Sequence, residues 1–165
     1  MKFTRATEYA IRTVLYIAAQ EGREVVGRRE ICREMGVPYP FLGKISQLLA
    51  RAGLLEIRQG VHGGYKLVRG AGRTTLLAVV EAIEGELFLS DCVERPGTCD
   101  RSVRCPVHRS WTRVRERLRR MLAQVRFDDL VRGERGARRP SRSGGHQPAP
   151  QSVHEGGKAP RTGGR

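Results

Sequence analysis

Arg28-Arg29-Glu30-Ile31-Cys32-Arg33-Glu34-Met35-Gly36-Val37-Pro38-Tyr39-Pro40-Phe41-Leu42-Gly43-Lys44-Ile45-Ser46-Gln47-Leu48-Leu49-Ala50-Arg51-Ala52-Gly53 is the stretch whose reading decides the fold. Its first part predicts a short helix over residues 28–35, with Ile31, Cys32 and Met35 turned inward and Gly36 as the stop. Cys32 belongs to that apolar face and reads as a small buried hydrophobe. Gly36-Val37-Pro38 is a tight turn. A second helix follows from Pro38 or Tyr39 to Ala52, since proline suits a first turn whose N–H would be unpaired anyway. Phe41, Leu42, Ile45, Leu48 and Leu49 recur at helical spacing and are expected in the core. Lys44, Ser46, Gln47 and Arg51 are left for the outside. Two short helices joined by about three residues, the second with a basic outer face, have the geometry of a helix-turn-helix.

Outward from this unit the pattern holds. Gly53 caps the second helix, residues 54–58 read as a strand, 59–64 as a glycine-rich turn and 65–68 as the returning strand. A hairpin directly after a recognition helix is a wing, which would carry Arg58 and His62 toward the negative potential of a minor groove. The glycines do not read as a phosphate cradle, because no lysine-serine pair and no helix start follow them. Upstream, Ala6, Tyr9, Ala10, Ile11, Val14, Leu15, Ile17 and Ala18 make residues 5–20 an amphipathic helix. Thr4 is its candidate N-cap, and Glu8 lies in its early turns. Downstream, residues 75–84 form another apolar-faced helix.

Residues 107–125 predict a long helix with Trp111, Val114, Leu118, Met121, Leu122 and Val125 as a seam at intervals of three and four. Such a seam at the end of a small winged domain suits pairing with a second copy. Residues 127–131 would add a last turn against it. From Gly133 the composition turns to Gly, Pro, Ser, Arg and Gln without apolar period, so a disordered basic tail is expected over 133–165. His146 and His154 within it do not make a metal site.

Lys and Arg total 31 against 17 acids, a net charge of +14, of which the tail from Gly133 holds five. That excess points to a polyanion, with double-stranded DNA the first candidate. No leader-like segment and no apolar run of membrane length is visible, so a cytoplasmic protein without a membrane partner is expected. Four cysteines in a chain of this length do not form a secreted disulfide scaffold. No base and orienting acid accompany any thiol, which argues against an enzyme.

Three of those cysteines fall in Cys92-Val-Glu-Arg-Pro-Gly-Thr-Cys99-Asp-Arg-Ser-Val-Arg-Cys105-Pro-Val-His108. Pro96 and Gly97 break any regular element there, so the loop can fold back and aim several sulfurs at one point. Thiolates are soft ligands suited to zinc or iron–sulfur chemistry. The spacing matches neither the paired C-x2-C of zinc modules nor a redox C-x-x-C. A disulfide plus a free thiol, or plain reduced cysteines, remain open on spacing alone.

Taken in order, these residues resemble the iron–sulfur cluster regulator family of bacterial winged-helix transcription factors (IscR-like, Rrf-two family). The resemblance spans residues 1–131. It rests on Thr7-Glu8-Tyr9-Ala10-Ile11-Arg12, Phe41-Leu42-Gly43-Lys44-Ile45, Ala52-Gly53-Leu54-Leu55, Gly63-Gly64-Tyr65-Lys66-Leu67, Val80-Glu81-Ala82-Ile83-Glu84-Gly85, and the loop from Cys92 through His108 with Trp111. It implies a homodimeric DNA-binding repressor or activator that senses cluster status, nitric oxide or redox state. It implies a cluster, 2Fe-2S or 4Fe-4S, on Cys92, Cys99 and Cys105, with a fourth ligand from His108 or from Glu8 of a second copy. In relatives the loop lies between protomers, near the start of the partner's first helix. Pro40 and Gly43 depart from the family's usual polar base-reading residues, which leaves Tyr39 and Lys44 as candidate DNA contacts, with Arg51, Arg58 and His62 around them. The fold expected is mainly α: a winged helix-turn-helix domain over 1–85, a cluster loop over 86–108, a dimerisation helix over 109–132 and the tail. The competing reading is a DNA-binding protein with a purely structural zinc or thiol site.

Overall fold

In the computed structural model, which describes residues 3–137, helix α1 (Arg5–Ala19) is the hub of the molecule. Thr4 caps it, its hydroxyl accepting from the Thr7 N–H at 3.4 Å. Ala10, Val14, Ile17 and Ala18 are buried along one side, and α2, α3, α4 and α7 all pack on this helix. Helix α2 (Arg28–Met35) stops at Gly36, whose φ of 63° is the left-handed conformation that a residue without Cβ adopts freely. Helix α3 (Tyr39–Arg51) follows, with Leu42, Ile45 and Leu49 fully inside.

The wing is an antiparallel pair, β1 (Leu55–Arg58) and β2 (Gly64–Leu67), in register Leu55 with Leu67 and Ile57 with Tyr65. A third backbone partner joins it. Val26 and Tyr65 exchange both N–H···O bonds at 2.9 Å, which fastens the hairpin to the segment before α2. That closeness explains Gly64, where a Cβ would stand 2.5 Å from the Val26 carbonyl oxygen. Helix α4 (Leu76–Glu84) is capped by Thr75 and sends Val79 and Val80 inward. One turn of helix, α5 (Asp91–Glu94), and a 3-10 turn over 96–98 carry the chain to α6 (Pro106–Gln124) and α7 (Phe127–Ala137).

Several expectations need correction. The segment 109–132 is not one dimerisation helix. Backbone bonds from Leu76 N to Val125 O (2.9 Å) and from Phe127 N to Thr74 O (3.1 Å) turn the chain back after α6. Helix α7 then packs on α1 instead of on the seam, and Phe127 is 0 % exposed in the core. The tail boundary at Gly133 falls inside this helix, because Val131 holds it against the core and the helix continues to Ala137. The expected disorder of the remaining tail concerns residues outside those described. Phe41 is 49 % exposed, resting edge-on against Tyr9 with centroids 5.8 Å apart, at the rim of the core and not in it. Ser46 is buried, not outside: its hydroxyl donates to the Gly43 carbonyl at 3.1 Å and lies 3.4 Å from the Tyr65 hydroxyl.

Candidate nucleic-acid interface and thiol loop

Helix α3 presents Tyr39, Pro40, Phe41, Lys44, Gln47 and Arg51 to solvent, because its buried positions take up the opposite face. Lys44 and Arg51 sit seven residues apart, two turns, so both charges project from one stripe. Tyr39 opens the helix, and its ring lies 3.8 Å beneath the Arg28 guanidinium carbon. Beside α3, the hairpin holds His62 at its exposed tip. Arg58 is in a different state from that expected of a free wing cation. It is ion-paired with Glu24 and, at 2.8 Å, with Glu56. These carboxylates raise the Arg58 pKa, hydrogen bonding to Glu56 first, so the charge is fixed but balanced. Sequence reasoning missed Arg28, which lies on α2 and reaches the α3 surface only through the fold.

The thiol loop lies between α4 and α6. Cys92 is in α5 with its sulfur 3.2 Å from the Ser90 hydroxyl, Cys99 follows the 3-10 turn, and Cys105 occupies the N-cap position of α6. All three are half-buried and none is in a disulfide. Among the described residues no three His, Cys, Asp or Glu side chains stand close enough to hold a metal ion. His108, in the first turn of α6, has a buried Nδ1 with no hydrogen-bond partner. Glu8 is exposed on α1, in a shallow depression with Thr4, Arg5 and Arg12. Cys32 stands apart, packed against the core, where burial pushes its thiol pKa up and nearby Arg28 opposes the shift.

Two clasps bracket the loop. At its start, the Glu84 carboxylate accepts from the Thr4 N–H and Thr4 hydroxyl, both at 2.8 Å, and from the Thr7 hydroxyl. The last residue of α4 is thereby tied to the first turn of α1. Burial pushes the Glu84 pKa up, but the hydrogen bonds from Thr7 and Thr4 outweigh it and hold the carboxyl below its ordinary range. On the far side, Arg119 pairs with Glu81 (2.5 Å) and Glu86 (3.2 Å). Arg115 pairs with Glu86, donates to the Leu87 carbonyl at 2.8 Å and lies over the Phe88 ring. The loop therefore begins and ends on elements fastened to each other.

The opposite side of α6 is open. Val107, Trp111, Val114 and Met121 are exposed, Leu118 is half-buried, and Met121 reaches 58 %. No described helix is long and apolar enough to cross a membrane.

A helix-turn-helix with an adjoining wing and a basic outer face defines the class: a winged-helix DNA-binding protein. Comparison with known proteins gives the lineage. Residues 3–133 match the Rrf2 family, described as iron-dependent transcriptional regulators. Protein aau3 of Rhizobium meliloti is 35 % identical over 133 residues, covering 80 % of this chain and 86 % of its own. The HTH-type transcriptional regulator IscR of Xenorhabdus nematophila is 27 % identical over 134 residues, 81 % of each chain. Among solved structures, T. potens IscR superposes with a TM-score of 0.66 at 21 % identity, covering 84 % of this chain and 91 % of its own. The chain belongs to the Rrf2 family. It is a DNA-binding transcription regulator, as the sequence led us to expect, and its winged-helix fold is the one read from residues 28–68.

Proposed function

We propose that this regulator is a cytoplasmic homodimer, acting as a repressor, whose operator affinity is set by an iron–sulfur cluster held at Cys92, Cys99 and Cys105. The observation that carries the reading is the placement of three reduced, half-buried thiols on a loop slung between two clasped helices. The donor set fits the group in kind: three soft sulfurs from one segment, followed three residues after the last by an imidazole whose Nδ1 is buried and unpartnered. That orphaned Nδ1 favours His108 as fourth ligand over Glu8, which is already solvated. The iron dependence in the family's description supports iron over zinc.

Bound there, a cluster would supply chemistry sensitive to nitric oxide, to redox state and to iron supply. The rest falls to the chain itself. Cys92 on α5 and Cys105 at the head of α6 would hold the group together with Cys99, and its binding would couple the position of α5 to that of α6. The Arg115 and Arg119 pairs carry any tilt of α6 into Glu81 and Glu86 around the end of α4. Glu84 passes it to the first turn of α1, on which α3 packs. With α6 paired to its copy along the open apolar strip, that tilt alters the separation of two recognition helices. These must stand about 34 Å apart to enter successive major grooves on one side of the duplex. For DNA itself, Lys44 and Arg51 would contact phosphates, His62 the minor groove and Tyr39 a base edge.

The direct test is the visible spectrum of anaerobically purified protein with iron and sulfide counts. Iron and acid-labile sulfide in equal amounts, lost together in a Cys99→Ala variant, are expected. One zinc per chain without sulfide would replace this reading by that of a structural metal site.

A further inference from the structure

We propose that Arg28, on the helix before the recognition helix, reads a base pair of the operator in the place of the side chain that Gly43 lacks. The groove-facing N-terminal half of α3 is poor in donors, since Pro40 and Gly43 have no side-chain hydrogen-bonding group. Gly43 stands one turn from Tyr39, between it and Gln47, and next to Lys44 on the exposed face. Its missing side chain does not leave a hole. A Cβ at Gly43 would lie 2.6 Å from Arg28 Nη2 and 3.4 Å from its Cζ. The guanidinium of a neighbouring helix occupies that space.

Two contacts hold it there: Arg28 Cζ lies 3.8 Å from the centre of the Tyr39 ring, and Nη2 donates to the Tyr39 carbonyl at 2.7 Å. Nε is buried without a hydrogen-bond partner. Its charge, by contrast, is not balanced. Among the described residues Arg28 makes no ion pair, whereas Arg58 is held by Glu24 and Glu56 and Arg23 by Glu30. A guanidinium lying against the N-terminal half of a recognition helix, stacked and uncompensated, suits the paired acceptors O6 and N7 of guanine. The stacking removes rotamer freedom before DNA arrives, so less is lost on binding. The N-terminal residues of a recognition helix meet base edges more than phosphates. This assigns Arg28 a role in specificity beyond its charge. It also explains why Gly43, an ordinary helical glycine with no need of a positive φ, stands where it does.

The inference rests on α3 being the helix that enters the groove. The test uses full-length, anaerobically purified protein and an operator duplex selected from a random library. Dissociation constants are measured at one salt concentration for that duplex and for every single-pair substitution of it. Arg28→Ala should lose about 5- to 150-fold on the selected operator, the range of one bidentate base contact, and should lose discrimination at a single G·C pair only. Gly43→Ala is the sharper variant. Alanine is a better helix former than glycine, so folding is safe, but its methyl expels the guanidinium and should flatten the same pair. The double variant should be no worse than either single one. An equal loss on all duplexes would make Arg28 a phosphate contact and overturn the proposal. So would wild-type affinity in either variant, or loss at different pairs in the two. Lys44→Ala reports separately on α3: if it leaves every duplex bound as before, the groove assignment itself fails.

Discussion

Replacing Val114 by Asp should separate the proposed dimer while sparing the fold of each chain. Val114 lies midway along α6 on its open strip, between Trp111 and Leu118, and is 49 % exposed. Burying a valine fully contributes about 1.5 kcal/mol or more, so roughly half of that is still available to a partner from each copy. Aspartate forfeits this share twice over, about 1.5 kcal/mol for the pair. It also places two short carboxylates in one apolar seam, each costing at least about 1 kcal/mol when desolvated without a full set of donors. The total is at least about 3 kcal/mol, a weakening of the dimer by more than a hundredfold. Sedimentation equilibrium over a range of concentrations measures it directly, with helix content by circular dichroism as the control. A variant that dimerises as tightly as the wild type would refute the pairing of α6. A variant that loses its helices would show instead that Val114 belongs to the chain's own core.

Phe127→Ala should behave in the opposite way. With Phe127 fully buried between α7 and α1, it should lower unfolding stability by about 3–5 kcal/mol in urea titration without changing the dimer constant of the protein that remains folded. Lys44→Ala should weaken all DNA sequences alike and flatten the dependence of log affinity on log salt by about one unit; a loss confined to one operator position would make it a base reader. Glu84→Gln tests the α4–α1 clasp through pH. The folded Glu84 carboxyl is held below its ordinary pKa, so its contribution is present above the usual carboxylate range and is lost as pH falls through the depressed value. The variant's unfolding midpoint should therefore fall less steeply under acid than the wild type's, and identical profiles would show that Glu84 is not the linked group.

The helix-turn-helix was legible because its punctuation is local. Gly36 at a positive φ and Pro38 before α3 fix that turn whatever packs around it. The seam on α6 was legible for the same reason, as a periodic run of which Trp111, Val114 and Met121 stay exposed among the described residues. What escaped the sequence depends on distant partners. Phe127 looked like a late turn of the seam helix, but its placement follows from backbone bonds to Thr74 and Leu76 some fifty residues earlier. Helical spacing assigned Phe41 to the core, yet spacing does not tell the rim of an apolar face from its centre. Ser46 read as outward because it is polar, although a hydroxyl able to donate back to its own helix is readily buried. Arg58 and Arg28 look equivalent as residues. Only the fold brings Glu24 to one and the face of Tyr39 to the other.

The central claim is that the loop thiols switch DNA binding. Operator affinity, measured at a single salt concentration for the iron-loaded protein, the same protein after cluster removal, and the Cys99→Ala variant, tests it most directly. Cluster loss and Cys99→Ala should change affinity by the same factor; a hundredfold change would correspond to about 2.7 kcal/mol of preference between the two arrangements. Cys32→Ala, altering a thiol packed against the core away from the loop, should leave both states as they were. Equal binding by all three proteins would contradict the account.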